Sequence, residues 1–506
     1  MYHIPFTELE EKTLKELGEA LDTGKLTSRQ LVEMYQERIQ AIDQAGPTLR
    51  SVLEINPDAL TIADTLDEER RKKGPRGPLH GIPILLKDNI ATADRMETTA
   101  GSLALLGSQP VRDAFVAQKL RVAGAIILGK ANMSEWANFR SSTSSSGWSG
   151  RGGQALNPYV LDRSPCGSSS GSATAVAANL AAASLGSETD GSILCPAAVS
   201  GVVGIKPTVG LTSRAGIIPI SHSQDTIGPF GRTVEDAAIL LGAIAGADKR
   251  DPATQNSAAR FFSDYTQFLD RDGLKGARIG IARQFYTGYS PKIDAAFETC
   301  IKQIREAGAI IVDPADIPTA KQMGDSQNEM TVLRFELKAD LNAYLAGLKS
   351  SPVRTLAEII AFNEEHASEE LLYFGQEHFL EAQKTSSLND PGYIVALAEN
   401  QRWARQEGID AVMDKYQLDA LLTPTTSPSC RIDLVNGDFF GGSSSQPAAL
   451  AGYPAINVPA GFIFNLPIGI TFTGRAYSEA TLIKLAYAFE QATKARRAPA
   501  YLATTP

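Results

Sequence analysis

SPCGSSSGSATAVAANLAAASLGSETDGSILCP, residues 164–196, decides how the rest of the chain is read. No charged residue falls between Ser164 and Ser187, although charged residues make up 21% of the protein. Gly and Ser crowd the first end, Ala fills the middle, and Thr189-Asp190-Gly191-Ser192-Ile193 closes the far end. Small side chains at this density let a backbone approach another backbone, or a ligand, closely. The middle predicts one buried helix, Ser172 to Ala183, with Ser168 to Ser170 beside its N-terminus. Unpaired N–H groups and a partial positive charge at such an end suit an anion or a developing oxyanion. Taken alone, the stretch equally describes a buried helix between two flexible loops. The sequence on either side separates these readings.

Upstream, Leu79-His80-Gly81-Ile82-Pro83-Ile84-Leu85-Leu86-Lys87 has the continuous apolar run of a buried strand, with Lys87 at its C-terminal end. A surface lysine there would snorkel to water. A buried one would lose its charge to desolvation and become a base. The pattern of residues 113–130 predicts a helix, Asp113 to Arg121, then a strand, Val122 to Lys130. That alternation points to α/β layers. Before it, residues 7–45 read as two amphipathic helices, the first opened by Thr7 or Glu8 and the second capped at Thr27-Ser28. A third, over 57–73, stops at Gly74-Pro75. Residues 141–153 form a Ser/Gly loop that carries Trp148 and Arg151.

Downstream, strand patterns appear at Val199 to Ile205, Ala277 to Ala282, Ala309 to Val312, Ala420 to Leu422, Ala455 to Val458 and Ile468 to Thr473. Asp225 to Pro229 reads as a turn. Helices are predicted at Thr233 to Ala245, 292–307 and Glu479 to Thr493. Residues 248–275 read as a polar surface excursion, and 320–415 as a charged helical elaboration laid over the core. The tail beyond Arg497 reads as loose.

Length and composition describe a soluble globular chain of 506 residues, 43% of them hydrophobic. A net charge of −9 argues against nucleic acid or an anionic membrane as partner. No apolar run is long enough for a transmembrane helix. The start, MYHIPFTELEEKTLKELG, lacks a basic region followed by an apolar one. A cytoplasmic location is therefore expected, with a processed exported form left open. Cys166, Cys195, Cys300 and Cys430 form no CxxC pair and predict free buried thiols.

Gly167-Ser168-Ser169-Ser170-Gly171 matches G-x-S-x-G with Ser169 in the centre, but that elbow needs an acid and then a histidine downstream. Only His222, His366 and His378 follow it, the last two within the charged helical region. S-x-x-K, HExxH, a Walker loop and G-x-G-x-x-G do not occur. What remains is a lysine ending a buried strand and two serine-rich turns, and a neutral lysine can activate a serine.

GIPILLKDNI, SPCGSSSGSA and GSETDGSI resemble, in order and spacing, the three motif blocks of the amidase signature family. IKPTVGLTSRAGIIPISHSQDTIGP, DALLTPT and GYPAINVPAGF extend the resemblance over most of the chain. It implies an α/β fold, with one large domain built on a mixed, twisted β-sheet covered by helices on both faces. Within it, residues 1–75 would be a helical segment packed on a 76–500 domain, with the signature core near 79–240 and a tail at 501–506. By motif position, Lys87 would be the base, Ser168 a bridging serine in a cis peptide, and Ser192 the nucleophile. Ser168 and Ser192 lie 24 residues apart, the ungapped family spacing. Backbone N–H groups of Thr189, Asp190, Gly191 and Ser192 would hold the oxyanion.

Two departures stand out: the common GGS-I-R is Asp190-Gly191-Ser192-Ile193-Leu194, and GGSSGG is Cys166 to Gly171. Together with SEWANFR and RGGQ they resemble the peptide amidase branch, and they set aside a glutamyl-tRNA amidotransferase. The implied reaction removes a C-terminal peptide amide by acyl transfer, with no metal and no cofactor. The implied partners are a short-peptide or small amide substrate and at most a second copy of the chain. The competing expectations are a broad small-amide hydrolase on the same three residues and an inert binding subunit.

Overall fold

Eleven strands form one sheet in this computed structural model, which describes residues 2–257 and 260–505. In chain order they are β1 Val52–Ile55, β2 Pro83–Lys87, β3 Ile126–Ala131, β4 Ala183–Glu188, β5 Val203–Lys206, β6 Thr226–Gly231, β7 Arg278–Ile281, β8 Ile310–Val312, β9 Ala420–Pro424, β10 Ala455–Ile463 and β11 Leu466–Thr473. Across the sheet the order is β1-β3-β2-β4-β6-β5-β10-β11-β9-β7-β8. Pairing is parallel in the β3-β2-β4 and β9-β7-β8 stretches and antiparallel between them, from β4 through β6, β5, β10 and β11 to β9. The mixed α/β sheet expected from the motif blocks is therefore the frame of the molecule.

The second helix forms where its cap places it, with a capping box of Thr27 and Gln30 at Ser28–Arg38. The first starts later than read: Thr7–Leu9 is a separate 3-10 turn, and Thr13 and Glu16 build the capping box of Leu14–Asp22. Leu14, Leu17, Leu21, Leu31 and Tyr35 bury in a core shared with Leu85 of β2 and Leu128 of β3. A second core joins β5, β7, β9, β10 and β11 to the helices Val234–Ile244, Pro291–Glu306 and Glu479–Thr493. The elaboration is helical as read, and its helix Asn328–Ala346 buries Leu333, Leu337, Leu341 and Leu345. Among the described residues no helix is long and apolar enough to cross a membrane.

Four further sequence readings need correction. The Ala-rich segment is not one helix: Ser170–Ala177 is helical, Asn179 turns at φ 56°, and Ala183–Glu188 is strand β4. The early stop is set from far away in the chain. Arg38 donates to the carbonyls of Asn179 at 2.8 Å and Ala178 at 3.3 Å, and Arg232 to those of Val176 and Ala181. A buried helix end leaves carbonyls that need such donors, and that of Val176 also takes the Asn179 N–H.

Asp225 to Pro229 is mostly strand rather than turn, because Thr226–Gly231 fills the place between β4 and β5. Gly228 is needed there because a Cβ would lie 1.9 Å from the Ile205 carbonyl oxygen. Cys166 and Cys195 are not free thiols but a disulfide with Cα atoms 6.0 Å apart, whereas Cys300 and Cys430 are free. The start of the 501–506 tail is docked: Tyr501 is buried, its N–H donates to the Pro158 carbonyl, and that of Leu502 donates to Tyr159.

Candidate active site

Lys87 ends β2, the third strand in from the β1 edge, and has no exposed surface. Its Nζ lies 2.7 Å from Ser168 Oγ, 3.0 Å from Ser187 Oγ and 3.1 Å from the Ser187 carbonyl oxygen. Asn89 Nδ2 donates to the same Ser187 hydroxyl at 2.9 Å. Three acceptors suit an ammonium. They suit a neutral amine equally well: its two hydrogens go to Ser187, and its lone pair accepts the Ser168 O–H. Burial decides between these states, pushing the Lys87 pKa down to about 7 against the opposing charges of Asp225 and Glu188.

The Gly167–Ser168 peptide is cis, and the neighbouring chain presses close on it. A Cβ on Gly167 would meet Ser134 Oγ at 2.1 Å. Ser169 turns away: its hydroxyl donates to the Ser187 carbonyl at 3.0 Å, and its N–H donates to the Ser192 carbonyl at 3.2 Å. Ser169 is fully buried in these bonds and does not line the cleft, so the elbow geometry is not formed.

Ser192 sits in the turn after β4, with Gly191 at φ 78° allowing the chain to reverse. Glu188 at the strand end accepts the next two N–H groups, from Ile193 at 2.6 Å and Leu194 at 2.9 Å. Thr189 Oγ1 donates to Asp225 Oδ1 at 2.6 Å, while Asp225 Oδ2 accepts from the N–H groups of Ile220 and Ser221. Burial raises the Asp225 pKa to about 6. Neither Ser187, Glu188 nor Asp225 was singled out from sequence. The first two lie inside the GSETDGSI block, where an uncharged run meets its first carboxylate; Asp225 carries no such signal.

Thr189, Asp190, Gly191 and Ser192 line one side of a cleft of about 320 Å³, with Gly167 and both disulfide cysteines also exposed to it. Phe139, Phe440 and Leu333 supply apolar wall, the last from the helical elaboration. The structure places Lys87 and Ser168 in direct contact, and Ser192 with the three residues before it along the cleft, which Gly167 also lines. His222 lies elsewhere, 2.9 Å from Asp340 and 3.3 Å from Glu336. That trio is the one group among the described residues with metal-ligand spacing. Its atoms are engaged in closing the helix on the loop, with Glu336 also accepting from Ser221, Ser223 and Tyr393.

The disulfide joins the segment before Ser168 to the helix Leu194–Val199 after Ser192, across 29 residues of chain. Cross-linking a loop of that size contributes about 3–4 kcal/mol by restricting the unfolded chain. Cys166→Ser with Cys195→Ser is expected to lower the unfolding free energy by about that amount. Denaturant titration with and without a reductant checks it, the oxidised wild type alone changing on reduction.

The amidase family model matches residues 30–483. A probable amidase of Arabidopsis thaliana is 47% identical over 503 residues, covering 98% of this chain and 92% of that protein. The crystal structure of native peptide amidase from Stenotrophomonas maltophilia superimposes with a TM-score of 0.93 at 51% identity, covering 97% of this chain and 99% of that one. A glutamyl-tRNA(Gln) amidotransferase component of Chloroflexus aurantiacus is more distant, at 36% identity over 96% of this chain and 98% of the relative. The chain belongs to the amidase family and is a hydrolase of amide C–N bonds.

Proposed function

We propose that this amidase converts C-terminal peptide amides to free acids and ammonia through an acyl-serine intermediate. The observation that carries the reading is the contact between a fully buried Lys87 and Ser168, beside the turn that presents Ser192 to the cleft. Ser192 Oγ attacks the carboxamide carbon while its proton passes through Ser168 to the neutral amine of Lys87. Backbone N–H groups of Thr189, Asp190, Gly191 and Ser192 hold the oxyanion, each contributing about 3–4 kcal/mol in comparable sites. Collapse breaks the C–N bond, and the relayed proton leaves with the amine as ammonia. Water then attacks the Ser192 ester along the same relay, releasing the acid and restoring the hydroxyl.

The preference for peptide amides is supported by the likeness to peptide amidase and by the cleft's mixed lining. Hydroxyls and backbone at one end suit the carboxamide, and Phe139, Leu333 and Phe440 suit the adjoining side chain. Incubation with a set of N-acylated peptide amides, followed by mass spectrometry, tests it. The expected result is a gain of about one mass unit per peptide amide, with internal peptide bonds and unamidated peptides untouched. Turnover of small aliphatic or aryl amides alone would replace this reading with a broad small-amide hydrolase. Cleavage within unamidated peptides would overturn it.

A further inference from the structure

Asp190 has a side chain that the chemistry above does not use. It lines the cleft two residues before Ser192, and Ser445 lines the same wall, close enough that a Cβ on Gly191 would meet its hydroxyl at 3.0 Å. Asp190 Oδ1 is shut off from solvent and has no hydrogen-bond partner. A second carboxylate, Glu329, acts on Asp190. Both Glu329 oxygens are already satisfied, one by Gln224 Nε2 at 3.0 Å and the other by Gln446 Nε2 at 2.9 Å. Burial and the Glu329 charge push the Asp190 pKa up to about 8, so the pair together resists carrying two full negative charges. Buried carboxyl oxygens without donors are costly, and this one belongs to a residue that lines the cleft. Where the Glu188 carboxylate stabilises the same turn through two backbone N–H groups, Asp190 has no comparable structural task.

We propose that the Asp190 carboxyl, flanked by Ser445 and Glu329, is the receptor for the NH₂ group of the substrate's primary carboxamide. This rests on the acyl-transfer reading, which puts the reacting carbon at Ser192 and so places its NH₂ in the same cleft. An amide nitrogen brings N–H donors to an acceptor that lacks them. The ammonia formed on cleavage does the same. A carboxylate in that position brings a further negative charge against Asp190 and Glu329, so the product acid and unamidated peptides are repelled. An ester of the same acyl group brings no N–H at all. Asp190 thus acts as a specificity residue for the leaving group, separate from the backbone N–H that it contributes to the turn.

Esters separate this role from a general one. Asp190→Ala and Asp190→Asn are compared with wild type on an N-acyl dipeptide amide and on the methyl ester of the same acid, with fluorophosphonate labelling of Ser192 counting competent sites. In Asp190→Ala the amide-to-ester ratio of kcat/KM is expected to fall by about 10–100-fold, the loss of one hydrogen bond to a charged group. Measured above pH 8, where Asp190 carries its charge, inhibition by the free peptide acid is expected to tighten in both variants by about fivefold or more, because the Asp190 part of the repulsion is gone. An unchanged ratio, or amide and ester falling together, overturns the proposal. Thermal melting screens each variant for folding, and Asp190→Asn, nearly isosteric, keeps the inhibition measurement available if Asp190→Ala does not fold. A wild type that neither labels at Ser192 nor turns over amide or ester overturns the acyl-transfer reading itself, an outcome distinct from an unchanged ratio in an active enzyme.

Discussion

Ser192→Ala is expected to lower amide hydrolysis by about 10⁴-fold or more, because it removes the atom that carries the acyl group. Folding should barely change. Ser192 is 8% exposed, and the neighbouring turn is held by Glu188, Gly191 and Ser169 backbone bonds that the substitution leaves in place. Covalent labelling by a fluorophosphonate should disappear with activity, while the melting temperature stays within a few degrees of wild type. Ser169→Ala is the matching control. It deletes two hydrogen bonds, one given to the Ser187 carbonyl and one accepted from the Ser187 N–H, each worth about 1 kcal/mol, and should leave a readily measured rate. Near-wild-type turnover by Ser192→Ala would remove that serine from the mechanism. Loss of labelling in Ser169→Ala with labelling kept in Ser192→Ala would move the nucleophile to the elbow position.

The second large effect concerns the charge on Lys87. Its pKa is pushed down, from an ordinary value of 10.5 to about 7, by burial. The base is the neutral form, so activity should rise with pH, be half developed near pH 7, and level off about one unit above it. The sign follows from the direction of the shift: below pH 7 the amine is protonated and cannot accept the Ser168 proton. Asp225 and Glu188 raise the Lys87 pKa, so neutralising Asp225 should move the limb to lower pH. Lys87→Ala is expected to remove the limb together with most of the rate. His222→Ala should leave the limb in place, since His222 is bound to Asp340 and Glu336 away from the serines. Rate profiles of the variants between pH 5 and 9 test both expectations. An acid limb surviving in Lys87→Ala, or lost in His222→Ala, would assign the base elsewhere.

Local chemistry made much of this legible in the sequence. Thr27 and Thr233 announce helices because their hydroxyls cap N–H groups three residues away, information contained within a single turn. Ile84 to Lys87 announces a central strand because an unbroken apolar run can be buried on both faces. The serine and lysine pairing was legible only through motif order, since no spacing rule places residue 168 against residue 87. Features set by distant partners stayed hidden. Alanine carries no periodicity that separates a helix from a strand, so the break at Asn179 depended on Arg38 and Arg232, whose reach the sequence does not display. Gly228 and Pro229 have turn chemistry, yet close approach to β5 and pairing with β4 made them strand. Cysteines 29 positions apart give no sign of meeting until both segments are folded around the same cleft.

That cross-link gives the enzyme two covalent forms. A chain made where small thiols keep cysteines reduced carries four thiols, and one matured under oxidising conditions carries two, at Cys300 and Cys430. Cys166 and Cys195 both border the cleft, so the two preparations differ at the walls of the substrate site and not merely at a remote staple. A thiol titration on unfolded protein therefore belongs beside every kinetic constant measured for this enzyme, and the production host, in setting that count, becomes an experimental variable of the cleft itself.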